Sequence, residues 1–78
     1  ANRLTGKKVV FTGELSGFTR QDAEEQVRRS GGYAVSSVSK ETDFVVAGDH
    51  PGSKARKARE LGIPVIDENE FQRMLEGT

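Results

Sequence analysis

A chain of 78 residues, 33% of them hydrophobic, makes one small domain with a modest core and marginal stability. The absence of cysteine, with a single histidine at His50, excludes disulfides, thiolate nucleophiles and a Cys/His metal cluster, and fits a reducing compartment. Twelve Lys plus Arg balance twelve Asp plus Glu, so net charge gives no general pull toward nucleic acid, and the longest apolar run, Phe44-Val45-Val46-Ala47, falls far short of the ~20 residues of a membrane-spanning helix.

The opening Ala1-Asn2-Arg3, without methionine, is what a piece of a longer protein would show. The first element is Val9-Val10-Phe11-Thr12-Gly13. Its three consecutive apolar residues predict a short strand buried on both faces, the pattern of a parallel sheet. Thr12 and Gly13 end that strand with a hydroxyl and a residue lacking Cβ, so backbone N–H groups can approach a ligand closely. In open α/β sheets this carboxyl edge is where ligands sit, and a phosphate is the expected occupant.

A polar loop, Glu14-Leu15-Ser16-Gly17, leads to a helix from Arg20 to about Ser30. Thr19 caps it, Asp22 follows three residues on, and Phe18 is placed to staple against Ala23. Ala23 and Val27 form a thin inward face, and Gly31-Gly32 ends the helix. Tyr33-Ala34-Val35 reads as a short strand. Ser36 to Asp43 is polar, has no clear period and reads as a connection. Phe44 to Ala47 reads as a strand at the centre of the sheet, and Gly48-Asp49-His50-Pro51-Gly52 breaks it. Ser53 is expected to cap a helix over Lys54 to Leu61 that buries Ala55, Ala58 and Leu61, with Gly62 and Pro64 stopping it. Pro64-Val65-Ile66 is the last strand. Asp67 with Glu70 forms a capping box, Ile66 and Phe71 a staple, and Phe71, Met74 and Leu75 the apolar stripe of a final helix. The order βαββαβα predicts an α/β domain of four parallel strands with helices on both faces. The connection from Ser36 to Asp43 looks too short to carry a crossover helix.

Lys54, Arg56, Lys57 and Arg59 form a run without acids, whereas Asp67, Glu68 and Glu70 are clustered. Such runs ordinarily mean only a solvated face, but they also allow one basic face on a neutral domain. Arg20 and Lys54 stand out by position, since each falls in the first turn of a predicted helix, where the macrodipole disfavours positive charge. A bound anion reverses that penalty. It would meet helix N-terminal N–H groups, an arginine, a lysine and the Thr12 hydroxyl together. Water screening two surface cations is the plainer alternative.

Leu4-Thr5-Gly6-Lys7-Lys8-Val9-Val10-Phe11-Thr12-Gly13, Gly31-Gly32, the segment Val38-Ser39-Lys40-Glu41-Thr42-Asp43-Phe44-Val45-Val46-Ala47-Gly48, and Gly52-Ser53-Lys54 with Lys57-Ala58-Arg59-Glu60-Leu61-Gly62 together resemble a BRCT domain. They are most similar to the C-terminal BRCT domain of bacterial NAD-dependent DNA ligases, over Leu4 to Leu75. The resemblance implies an α/β fold with a four-stranded parallel sheet in the order 2-1-3-4, the first and third helices on one face and the second on the other. It also implies a loop, not a helix, between the second and third strands.

In phosphate-binding members a Ser or Thr followed by Gly after the first strand acts with a Lys at the start of the second helix, matching Thr12, Gly13 and Lys54. In the related subgroup found in the large subunit of the eukaryotic clamp loader an early Arg of the first helix joins them on a DNA 5′ phosphate, and Arg20 matches it. Many members carry tryptophan in the third helix where this chain has Phe71. A smaller ring still fills a core site, but a tandem packing interface is less expected. By this resemblance the domain is non-catalytic and holds no cofactor, the NAD and divalent metal belonging to the parent ligase. Its partners would be nicked or gapped DNA carrying a 5′ phosphate, other domains of the ligase and repair proteins, in a bacterial cytoplasm or nucleoid.

An enzyme reading is weaker. Thr12-Gly13-Glu14-Leu15-Ser16-Gly17 looks like the TGxxxG turn of short-chain dehydrogenases, but Ser36 and Ser37 stand where an acidic ribose ligand belongs, and a dinucleotide fold needs two such halves. Glu24 and Glu25 point to different sides of their helix, His50 has no partner, and the KxDG lysine motif of ligases is absent. Two readings remain. One is a DNA-contacting accessory domain using Thr12, Gly13, Arg20, Lys54, Arg56 and Lys57. The other is a protein-docking module of the same fold with an idle pocket.

Overall fold

The computed structural model describes residues 4–76, so the Ala1-Asn2-Arg3 opening lies outside the described residues. Seven elements follow one another: β1 (Lys8–Thr12), α1 (Arg20–Arg29), β2 (Tyr33–Val35), β3 (Phe44–Ala47), α2 (Ser53–Glu60), β4 (Val65–Asp67) and α3 (Glu68–Glu76). The four strands form one parallel sheet in the order β2-β1-β3-β4, with Val10 opposite Val35 on one side and Val45 on the other. The central strand β1 is therefore paired along both edges, which explains its unbroken apolar run.

Alternation along the strands divides the core in two. On one face Val9, Phe11, Phe44 and Val46 pack with Ala23 and Val27 of α1, Phe71 of α3 and Leu4. On the other, Val10 and Val45 pack with Ala58 of α2, Val38 and Ile63. Helices α1 and α3 thus share a face and α2 covers the opposite one. Phe71 is fully buried and stands edge-on to Phe11 (ring centroids 5.3 Å apart, planes at 82°) and to Phe18 (5.8 Å, 67°), so the ring fills the centre of the first layer. Phe18 thereby finds an aromatic partner on α3 in addition to its place beside the start of α1.

The helix starts follow their side chains. Thr19 Oγ1 accepts the Asp22 N–H at 3.1 Å and Asp67 Oδ1 accepts the Glu70 N–H at 2.8 Å, the expected caps of α1 and α3. The expectation for α2 needs correction. Ser53 is the first helical residue and not the cap; the N-cap is Gly52, which has no side chain to offer. The last strand also shifts by one residue, to Val65–Asp67, because Asp67 pairs with Ala47 while its carboxylate caps α3. Residues 36–43 form a loop, but it is not merely a solvated link. Val38 is 4% exposed and seals the second core layer, and the buried Thr42 hydroxyl accepts the Ser39 N–H at 3.1 Å. Among the described residues no helix is long and apolar enough to cross a membrane.

Candidate functional site

The carboxyl ends of β1 and β3 are zipped together beyond the sheet. Gly48 N–H donates to the Thr12 carbonyl at 2.8 Å, and Glu14 and Asp49 exchange backbone bonds of 2.9 and 2.8 Å. Gly13 sits inside this zipper at φ +80°, and a Cβ there would lie 2.6 Å from the Asp49 carbonyl oxygen. Glycine is thus required both by the left-handed turn and by the close approach of two backbones.

Thr12 is buried, and its Oγ1 accepts the Gly52 N–H at 3.3 Å, a contact across 40 residues of chain that seats the start of α2 against the end of β1. A hydroxyl that accepts this bond keeps its own hydrogen to donate elsewhere. From the other side the exposed Arg20 donates through Nη2 to the Gly13 carbonyl at 3.3 Å, which holds the guanidinium at the same edge and leaves its other N–H groups available. Thr12, Gly13, Arg20 and the N-terminus of α2 therefore meet at one point of the sheet edge.

The start of α2 differs from the other two helix starts. Helix α1 has a threonine cap and Asp22 in its first turn, and α3 has an aspartate cap with Glu68 and Glu70. Helix α2 has no side-chain cap and no acid in its first turn, and carries Lys54 there instead. The Ala55 N–H turns back to the Gly52 carbonyl at 3.2 Å, and the Ser53 and Lys54 N–H groups, with the helix dipole, meet no acid of the first turn.

Lys54 is half-buried, not the fully solvated surface cation of the plainer alternative. Its side chain lines a groove of about 370 Å³ between α2 and the Ser37-Val38 segment, whose other walls come from Ser53, Arg56, Lys57 and Glu60. The six candidate residues thus fall in two adjoining places: Thr12, Gly13 and Arg20 at the strand edge, Arg56 and Lys57 in the groove, and Lys54 between them by its position on the first turn. Lys8 pairs with Glu41, and Glu25 with Arg28 and Arg29, whereas Arg20, Lys54, Arg56 and Lys57 have no carboxylate partner among the described residues. Glu25 titrates below the ordinary carboxylate range, chiefly through its hydrogen bond from Arg28.

Sequence reasoning missed Glu68. Its carboxylate accepts the Ser16 N–H at 2.8 Å, the Ser16 hydroxyl at 3.0 Å and the Gly17 N–H, which ties the β1–α1 loop to the start of α3. The backbone bond from Ser16 is the main cause that holds this carboxyl below its ordinary value, against a smaller opposing effect of burial. No local pattern could have found a contact between residues 52 apart. Glycine at position 17 belongs to the same arrangement, since a Cβ there would meet the Glu68 carboxylate at 2.8 Å. Asp49, Asp67 and Glu68 line a separate acidic hollow at the ends of β3 and β4, but among the described residues no group of three or more His, Cys, Asp or Glu could hold a metal ion.

Comparison with known proteins agrees with this architecture. The family model for the BRCA1 C Terminus (BRCT) domain matches residues 1–75. The DNA ligase of Geotalea daltonii is 59% identical over 75 residues, that of Halothermothrix orenii 56% over 72, and that of Coxiella burnetii 53% over 74. These matches cover 96%, 92% and 95% of this chain but only 11% of each ligase, so the chain spans about a ninth of the length of these relatives. The crystal structure of Rad4 BRCT1,2 in complex with a Crb2 phosphopeptide superposes with a TM-score of 0.83 at 20% identity, over 96% of this chain and 41% of that one. A match along nearly the whole sequence, with the 2-1-3-4 parallel sheet and its helices divided between two faces, makes this chain a member of the BRCT domain family.

Proposed function

We propose that this domain is a non-catalytic accessory module of a DNA ligase that grips the DNA backbone, a 5′ phosphate above all, and helps to hold the ligase on nicked DNA in replication and repair. The observation that carries the reading is the start of α2, which is uncapped, free of acids and set against a buried threonine hydroxyl and an anchored arginine. A phosphate seated there would receive the Thr12 hydroxyl hydrogen, the free N–H groups of Arg20 and of the first turn of α2, and the charge of Lys54. Such contacts position a protein on DNA without reading sequence. Net neutrality makes the affinity of the isolated domain modest and concentrates attraction at this edge. The chain lacks the KxDG lysine motif, so the adenylation chemistry belongs to the rest of the ligase.

Titration with nicked duplex at low salt tests this. Arg20→Glu and Lys54→Gln should each weaken binding while circular dichroism stays unchanged, Thr12→Val should weaken it with some loss of stability because the Gly52 N–H loses its acceptor, and log K of the wild type should fall with log salt by about 0.9 per phosphate engaged. Unchanged affinity in all three variants defeats the proposal. A second reading, docking of a phosphorylated protein at the same edge, is favoured by the Rad4 neighbour, whose structure contains a phosphopeptide. Retention of a phosphopeptide by the wild type, with indifference to nicked duplex, would select it.

A further inference from the structure

We propose that the groove between α2 and the Ser37-Val38 segment receives the next nucleotide of the strand whose phosphate sits at Thr12, so that the domain holds two successive phosphates. This rests on the phosphate reading above and extends it along the strand. Ser53, which lines the groove, directly follows Gly52, whose N–H bonds to Thr12 Oγ1, so the groove adjoins the Thr12 site through the start of α2. Its wall is mostly apolar although three cations line it, as expected when Val38 and the methylene stems of Lys54 and Lys57 form the floor and the charged heads reach the rim. An apolar floor under a cationic rim suits a deoxyribose packed on the floor with its phosphate at the rim. The occupant is recognised by charge, since Lys54, Arg56 and Lys57 have no carboxylate partner among the described residues.

The dimensions limit the occupant to one step. Ser53 to Lys57 spans about 6 Å of helix axis at 1.5 Å per residue, close to the advance of a single nucleotide. Beyond Lys57 the wall ends on Glu60, the one acid of the groove, which repels a third phosphate. Recognition is indifferent to base identity because, short of Glu60 at its far end, hydroxyls, cations and aliphatic carbon line the groove and no aromatic ring is there to stack on a base.

The test compares thymidine 5′-monophosphate with 5′-phosphorylated dithymidylate, each titrated into the 78-residue chain and followed by amide chemical shifts. The dinucleotide should bind roughly five- to tenfold more tightly, the worth of one exposed charge-assisted contact. Ser37→Glu should abolish that gain and leave the monophosphate unaffected, whereas Glu60→Gln should enlarge it. Equal affinity for the two probes, or a gain that survives Ser37→Glu, overturns the groove assignment even if Thr12→Val weakens both probes. If the gain follows Ser37 and Glu60 but Thr12→Val and Arg20→Glu leave the monophosphate unchanged, the groove stands and the Thr12 site falls. No shift with either probe overturns both.

Discussion

Glu68→Gln removes a carboxylate while keeping its size, and so isolates the bond between the β1–α1 loop and α3. The wild-type carboxylate accepts three donors, the Ser16 N–H, the Ser16 hydroxyl and the Gly17 N–H. Glutamine retains one acceptor oxygen but turns an amide NH2 toward a backbone N–H. Hydrogen bonds to a charged group contribute about 1.5–3 kcal/mol each when sheltered, yet Ser16 and Gly17 are exposed and water replaces much of what is lost, so about 1–2 kcal/mol is expected in total. In a domain of this size that lowers Tm by roughly 5–10 °C. The effect must also depend on pH. The folded carboxyl titrates below 4.5, so its contribution is complete above pH 4.5 and is lost as pH falls through the lower folded value. Thermal unfolding of both proteins by circular dichroism, from neutral pH down through acid, should show a gap in Tm that closes as the medium is acidified. A gap of constant size would mean that the ionised carboxylate is not its cause, and no gap at neutral pH would refute the clasp itself.

Gly48→Ala should cost about 1–3 kcal/mol in urea unfolding, because its Cβ would run into the Glu14 carbonyl oxygen, a backbone atom that cannot swing away. Gly52→Ala is the control. Its nearest neighbour would be Thr12 Oγ1 at 3.9 Å, so stability should change by only a few tenths of a kcal/mol to about 1, and equal losses in the two variants would contradict the zipper geometry. Gly13→Val should reduce both stability and DNA retention, since the Asp49 carbonyl stands 2.6 Å from the new Cβ and φ is positive; a normal melt with normal binding would refute the turn. Phe71→Ala removes the ring that joins Phe11 and Phe18, costing about 3–5 kcal/mol, comparable to the whole stability of a marginal domain. A cooperative melt at the wild-type midpoint would show that this ring is not the centre of the core.

Most of the fold was legible because its signals are local. The Thr19 and Asp67 caps act over three residues, and the apolar runs of β1 and β3 announce burial on both faces through composition alone. What escaped depends on distant partners. Ser53 looks like a cap in isolation, but the Gly52 N–H is committed to Thr12, which fixes the helix start one residue earlier than the serine rule places it. Val38 hides in a polar stretch whose average says loop, yet it closes the second core layer against Ala58 and Ile63. Lys54 reads as a surface cation, yet it is half-buried and shares the lining of one groove with the distant Ser37-Val38 segment.

Glu68 and the start of α2 are connected by the same chemistry with opposite outcomes. At Ser16 and Gly17 backbone N–H groups of a strand-to-helix loop converge on an anion, and the chain supplies that anion from α3. At α1 and α3 the terminal N–H groups likewise meet a cap and an acid from their own first turns. With these places filled from within, the N-terminus of α2, with Thr12 behind it and Arg20 beside it, is the one helix start among the described residues whose positive end faces cations instead of acids. Like charges gathered at a positive dipole cost stability unless an anion from outside arrives. The position of that cost, at the carboxyl edge of the central strand, is the physical reason to look for a phosphate there and not in the acidic hollow at the ends of β3 and β4.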